Sequence, residues 1–373
     1  MSRAHRPAPE HRAAPEWATR YDATSFAPFS WTADVLAFAL DDARALLRAL
    51  TVVRGGEPFK GLDAWPGGFV EADADVDARA TALRELREET GREGIEYMEE
   101  LGTYGRLGRD PRQFAGYWDA EQGRWVQRGA RVVSTAQLAL VRTEQGEAPP
   151  AAGDDADDAR WTDVYDYLPW EDLRGVRGRT ASERVRRALV AWASEQKDAG
   201  EQGERVERAF GAEGARWNEE LVPDRYRLLR DAGLVEEALR DQWGRVDGDA
   251  PANAAFGRTM AFDHREMLAD ALGRLRGKLK YVPRVLQALV GDRFTLDELQ
   301  DACEAVAGRP LHRANFRRTV TSVRSALVVA TGESRESPGP GVDPKLYAFR
   351  DEVVAARLDV ALRMPWTPLT SAG

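Results

Sequence analysis

The run from Trp65 to Gly91, WPGGFVEADADVDARATALRELREETG, constrains this chain more than any other stretch. From Ala78 it is rich in Ala, Leu, Arg and Glu, with neither Gly nor Pro until Gly91, and that composition predicts a helix closed by a glycine stop. Glu85, Glu88 and Glu89 then stand at helical spacing and project from one face. Three carboxylates massed there repel one another unless a cation neutralises them. Hard divalent cations such as Mg²⁺ take oxygen ligands and keep positions open for a substrate phosphate. The competing reading is a solvated helix face with Arg84 and Arg87 as local partners. The preceding Pro66-Gly67-Gly68 turn weighs against it, because bare backbone can come close to the helix and to a bound phosphate.

These residues resemble the Nudix box, G-x5-E-x7-R-E-U-x-E-E-x-G-U, in which U is a bulky apolar residue. The second half matches at Arg84, Glu85, Leu86, Glu88, Glu89 and Gly91. The first half departs: Gly68 is present, but Ala74 stands where the box has its first glutamate, and nine residues instead of seven separate it from Arg84. Arg92 occupies the final apolar position. The resemblance implies an α+β Nudix fold, a mixed sheet between helices. It implies Glu85, Glu88 and Glu89 as ligands of Mg²⁺ or Mn²⁺, with Arg84 beside them in the catalytic group. Arg54 and Lys60 stand where the family often places substrate-facing positive charge, and Gly67, Gly68 and Phe69 form the adjoining substrate turn.

Length allows two or three domains, each with its own core: the chain has 373 residues. No run approaches the ~18 apolar residues of a membrane span, and MSRAHRPAPEHRAAPE lacks the apolar centre of a secretory signal, so the expectation is a cytoplasmic protein without membrane partners. One cysteine, Cys303, excludes an internal disulfide and a thiolate zinc site, and its apolar helical setting predicts a core residue. Charge is unevenly spread. From Arg258 onward there are 18 Lys and Arg against 14 Asp and Glu, a net +4, while the first 257 residues hold 35 against 48, a net −13. The asymmetry permits an anionic partner for the C-terminal third without demanding one.

Taken in order, residues 1–28 read as a mobile arm rich in Ala, Pro and Arg. Strand signals follow at Trp31–Leu40, Leu46–Val53, up to Trp65, Tyr97–Gly105 and Arg131–Val141, with Trp161 opening a last strand and helix; together they bound a domain at 29–175. The stretch 148–158 reads as a solvated acidic loop. Residues 176–257 carry helical patterns, a helical insertion, with a capping box starting at Thr180. Beyond them, 258–373 resembles the C-terminal winged helix-turn-helix of the Nudix-related transcriptional regulators of NAD metabolism, carried by GRTMAFDHREMLADALGRLRGKLKY, FTLDELQDACEAVAGRPLHRANFRRTV and PKLYAF. A Thr295 cap starts one helix, Gly308-Arg309-Pro310 makes the turn, and Arg313 to Val323, with Arg313, Asn315, Arg317 and Arg318, is the expected recognition helix. The wing sequence GESRESPGPGVDP is poor in cations, which disfavours contact with a phosphate backbone.

Two functions follow from these resemblances, and the intact glutamate triplet, the long helical insertion and the cation-poor wing favour the first, an enzyme, with the second as its alternative. The first is a metal-dependent pyrophosphohydrolase that splits a nucleoside diphosphate linked to another group, ADP-ribose or NAD, and releases AMP. The second is a regulator that binds the same ligand with little turnover and passes its occupancy to duplex DNA binding. Either is expected to act as a homodimer.

Overall fold

The computed structural model describes residues 20–22, 25–41, 43–143, 149–153, 156–211, 217–238, 256–322, 327–336 and 343–351. Most of the expected N-terminal arm, Val323 at the end of the expected recognition helix and part of the acidic loop lie outside them.

In chain order the first half holds β1 (Phe29–Leu40), β2 (Leu47–Arg54), β3 (Asp63–Ala64), β4 (Gly67–Phe69), helix α1 (Ala78–Thr90), β5 (Ile95–Tyr104), the hairpin β6 (Gly116–Asp119) and β7 (Arg124–Gln127), β8 (Arg131–Val141), β9 (Ala156–Asp163) and the short α2 (Val164–Tyr167). The helices α3 (Val176–Ser194), α4 (Ala199–Phe210) and α5 (Val222–Asp231) follow. Last come α6 (His264–Lys278), α7 (Pro283–Val290), α8 (Leu296–Ala307), α9 (Arg313–Thr321) and the hairpin β10 (Val328–Ser334) and β11 (Lys345–Phe349).

The main sheet is mixed. β1 pairs in parallel with β8 along its length, from Phe29↔Arg131 to Phe38↔Leu140. On its other edge it is shared: its C-terminal end pairs antiparallel with β2 and its N-terminal part with β4. β5 continues the sheet beyond β8, and β9 beyond β2. Because side chains alternate along a strand, β1 feeds two cores. Ala33, Val35 and Ala37 pack under Ala78, Ala82 and Leu86 of α1. Leu36, Phe38 and Leu40 join a larger cluster that runs on through α3 to α9 and ends at Phe349. The C-terminal helices thus cover the second face of the sheet.

One polar knot crosses that larger cluster. Glu171, in a 3-10 turn after α2, accepts two hydrogen bonds from Arg225 of α5, at 2.6 and 2.9 Å, and one from Arg276 of α6 at 2.6 Å. All three side chains have 0% exposure. Arg276 also donates to the Val306 carbonyl at the end of α8, at 3.0 Å. The two guanidiniums hold the Glu171 carboxyl below its ordinary range against the opposing effect of burial, which is the largest single influence.

Two local expectations change. α3 begins at Val176, with Gly175 before it, so Thr180 lies inside the helix instead of capping it. The entry is set by packing: a Cβ on Gly178 would stand 1.6 Å from the Asp172 carbonyl oxygen, so the first turn is pressed against the preceding 3-10 turn. The end of the acidic stretch is strand, because Asp158 and Ala156 complete the β2 edge opposite Val53 and Arg54. Cys303 is fully buried, as expected.

Replacing Glu171 with Gln strands two buried guanidiniums, and removal of one partner of a buried ion pair costs about 3–5 kcal/mol. Thermal denaturation of Glu171→Gln should show a clearly lowered midpoint; an unchanged midpoint would mean that the knot adds no net stability.

Candidate functional site

Where the edge of β1 passes from β2 to β4, the strands part, and a cavity of about 500 Å³ opens between them and α1. Its lower wall is Asp34, Trp65, Gly67 and Gly68, one side is Glu85 and Glu89, and the other carries Arg54, Arg109 and Arg112. Phe69, Phe262 and His264 also line it.

The two glycines are required by contact. A Cβ on Gly67 would lie 2.6 Å from the Ala33 carbonyl oxygen, and one on Gly68 would lie 2.2 Å from Glu85 Oε1. This close approach lets the Gly67 N–H donate to Glu89 Oε2 at 3.0 Å. Glu89 is pushed up to about 8, chiefly by burial and further by the charges of Glu85 and Asp34, with the Gly67 N–H opposing. Burial also raises Glu85, with Arg84 opposing. Asp34, which accepts from the Ser134 hydroxyl, is raised by burial too.

Arg84 stands behind this wall. It donates to Asp75 at 2.9 Å, to Glu85 at 2.7 Å, to Glu88 at 3.1 Å and to the Phe69 carbonyl at 3.2 Å. The Arg84 hydrogen bonds hold Asp75 down at about 2. Asp75 also accepts from the Glu71 N–H and the Thr81 hydroxyl, both at 2.9 Å. An acid therefore does face the box arginine, one residue beyond Ala74. The two extra residues are absorbed in the loop before α1.

Of the expected residues, Arg54, Gly67, Gly68, Phe69, Glu85 and Glu89 meet at the cavity. Lys60 is exposed and stands apart from the lining, and Glu88 turns toward Arg84 with 54% of its side chain exposed. Carboxylate oxygens suit a hard cation such as Mg²⁺ or Mn²⁺. Glu85 and Glu89 offer them at the cavity, and Glu88, beside the same Arg84 that bonds Glu85, is not part of the lining. Among the described residues no group of three or more His, Cys, Asp or Glu side chains is arranged to hold a metal ion. Of the three expected glutamates, Glu85 and Glu89 line the cavity and Glu88 does not.

Pattern reading missed the other side of the cavity. Arg109 makes a buried, two-pronged pair with Asp263 at 2.7 and 2.9 Å. The Trp65 N–H donates to His264 Nδ1 at 2.9 Å, and the Trp65 indole N–H donates to the His264 carbonyl, also at 2.9 Å. Acceptance at Nδ1 places the ring proton of neutral His264 on Nε2, 3.8 Å from Asp34 Oδ1. Phe262 holds a positive φ of 50°, a costly backbone for an aromatic residue. Arg54 lies over its ring at 4.9 Å, and Arg112 lies 5.6 Å from it and 5.1 Å from that of Phe69. Phe262 and His264 belong to AFDH, a segment visible in the sequence, but nearly 200 residues separate it from Trp65.

The C-terminal elements form a helix-turn-helix with a hairpin. Thr295 and Glu298 make a complete capping box at the start of α8, and Gly308 closes that helix in the left-handed conformation at φ 65°. Phe316 and Val320 bury one side of α9. On α9, Arg313 and Arg317 each reach Asp297 of α8, at 2.8 and 2.7 Å, and Arg318 donates to Asn315 Oδ1 at 3.1 Å. Among the described residues no helix is long and apolar enough to cross a membrane.

Protonation of Glu89 has a definite consequence for stability. A carboxyl raised to about 8 in the fold binds its proton more tightly than in the unfolded chain, whose value lies near ~4.3. Its favourable contribution is complete below that value and is lost as pH rises through about 8. Glu89→Gln, which keeps an acceptor for Gly67, should raise the thermal midpoint at pH 8 and leave it nearly unchanged at pH 4. Equal shifts at both values would sink this assignment.

The NUDIX domain family model matches residues 31–180, and the NrtR DNA-binding winged helix domain model matches residues 287–349. The ADPR responsive transcriptional repressor NtrR of Acinetobacter baylyi is 37% identical over 81 residues, 22% of this chain and 31% of that protein. The ADP-ribose pyrophosphatase of Methanocaldococcus jannaschii is 42% identical over 66 residues, 17% of this chain and 37% of that protein. The chain thus spans about a third of the length of the curated relatives it matches. A crystal structure of Shewanella oneidensis NrtR complexed with a 27mer DNA is 22% identical, covering 87% of this chain and 95% of that one, with a TM-score of 0.46. With its mixed sheet, box helix and C-terminal helix-turn-helix, the chain joins a Nudix domain to an NrtR-type winged helix domain.

Proposed function

We propose that this chain is a DNA-binding transcriptional regulator whose Nudix cavity senses a nucleoside diphosphate of the ADP-ribose type. The observation that carries this reading is the position of Phe262 and His264: both face the cavity, and His264 is the first residue of α6, which is packed into the C-terminal core. A ligand in the cavity therefore touches the segment that leads into the DNA-binding half.

Arg54 and Arg112 supply positive charge for a diphosphate, and Phe69 and Phe262 supply apolar faces for a base or sugar. Coupling requires the ligand to favour one arrangement of this segment over another. The strained Phe262 backbone and the Arg109–Asp263 pair are the groups through which it acts. In this scheme residues 29–175 bind the ligand, 176–257 brace the core, and 258–373 read DNA through Arg313, Asn315, Arg317 and Arg318. The protein acts as a homodimer. The names of the two curated relatives support the choice of ADP-ribose.

A second reading, pyrophosphate hydrolysis with release of AMP, is favoured by Glu85 and Glu89 lying at the same cavity. They would hold a divalent cation, which when bound supplies charge neutralisation for the diphosphate.

Calorimetry with ADP-ribose and NAD, with and without Mg²⁺, should show ligand binding that Phe262→Ala weakens about tenfold or more, the scale of losing a buried aromatic contact. ADP-ribose should shift the affinity of the wild-type chain for a duplex selected from a random pool by about 5–150-fold, and the shift should vanish in Phe262→Ala. Release of AMP by the wild type but not by Glu85→Gln or Glu89→Gln, without any shift in DNA affinity, would replace the sensor with the hydrolase.

A further inference from the structure

We propose that Asp297 is a specificity-determining residue of the winged helix, competing with duplex phosphate for the arginines of α9. This inference rests on the DNA-binding reading above. Asp297 lies in the first turn of α8 and takes both guanidiniums at once, Arg313 on Oδ2 at 2.8 Å and Arg317 on Oδ1 at 2.7 Å. All three side chains are open to solvent, at 47%, 65% and 43% exposure. The Arg317 Nε is nevertheless buried with no hydrogen-bond partner among the described residues, so this guanidinium keeps one donor unused.

Asp297 is not needed to start α8. The capping box is made by Thr295 and Glu298, and Glu298 also engages Arg335 of the wing and Arg44 of the β1–β2 turn, the latter at 3.5 Å. Nor does the Asp297 pairing supply much stability, since exposed ion pairs contribute about 0–1 kcal/mol. What one carboxylate between two guanidiniums does is lower the field that draws any phosphate backbone, because non-specific affinity is almost wholly electrostatic. It also fixes the direction of Arg313 and Arg317, and a positioned guanidinium is what a two-pronged contact with a guanine edge requires. Asp297 therefore lowers binding to arbitrary duplex more than binding to a matched site, so it widens the ratio between them.

The test is fluorescence anisotropy of the full chain with two labelled duplexes, one of mixed sequence and one selected from a random pool, at two salt concentrations. Asp297→Asn should bind the mixed duplex on the order of tenfold more tightly, with a steeper salt dependence, and should gain less on the selected duplex. Asp301→Asn removes a charge one turn further along α8 that also acts on Arg313, and should shift the ratio less than Asp297→Asn does. If Asp297→Asn binds both duplexes as the wild type does, or Asp301→Asn tightens binding equally, the proposal is overturned; a loss of binding in Arg317→Ala then leaves the DNA-binding reading standing. Failure of the wild type and of every variant to bind either duplex overturns both. Thermal midpoints check the fold, and Asp297→Ser serves as the second variant if Asn perturbs it.

Discussion

The structure depends on β1 being buried on both faces while its pairing edge changes partner halfway along. Ladder bonds to β8 hold one edge throughout, but the other edge must take β2 at one end and β4 at the other. A strand cannot satisfy two diverging neighbours without a gap between them. That gap is the cavity, and Asp34 lines it because β1 carries it there. The two faces of the same strand also explain why the C-terminal half is not a loosely tethered module: Leu36, Phe38 and Leu40 share one apolar cluster with α6, α7 and α8.

The altered Nudix box illustrates how a local departure is absorbed. A two-residue lengthening moves the loop acid out of its usual place in the pattern, yet Arg84 still finds a carboxylate, because Asp75 folds back onto it with support from Thr81 and the Glu71 amide. Arg84 bridges Asp75, Glu85, which lines the cavity, and Glu88, which does not. A guanidinium with several acids in reach satisfies them electrostatically, doing part of what a bound cation would otherwise do.

On the opposite wall the chain invests in directional contacts. Asp263 is locked to Arg109, and His264 is clamped by both polar groups of Trp65, while Phe262 between the cavity and the core keeps a strained backbone. Strain persists only where the surroundings over-determine it. Here those surroundings include the Phe59 ring at 4.9 Å and the Arg54 guanidinium. A segment held this way shifts only as a unit, which is the property that the proposed sensor requires between the cavity and α6.

The sequence by itself determined the local elements. Alternation and β-branched content placed β1, β2 and β8, helix composition with a terminal glycine placed α1, and the Thr295–Glu298 pair placed the start of α8, because each is decided by residues within a few positions of one another. The half of the cavity built from Gly67, Gly68, Glu85 and Glu89 was legible because the glycine turn and the helix lie in one short stretch that resembles the Nudix box. Tertiary structure alone decided the rest. It chose where α3 begins, because packing of Gly178 overrode a capping pattern. It left Glu88 beside Arg84 and off the cavity lining, because helical spacing alone does not set which neighbours a side chain meets. It brought Arg109, Phe262 and His264 to the cavity, because contacts between residues some 150 to 200 positions apart leave no periodic trace in the chain and arise only when burial of both faces of β1 draws the two halves together.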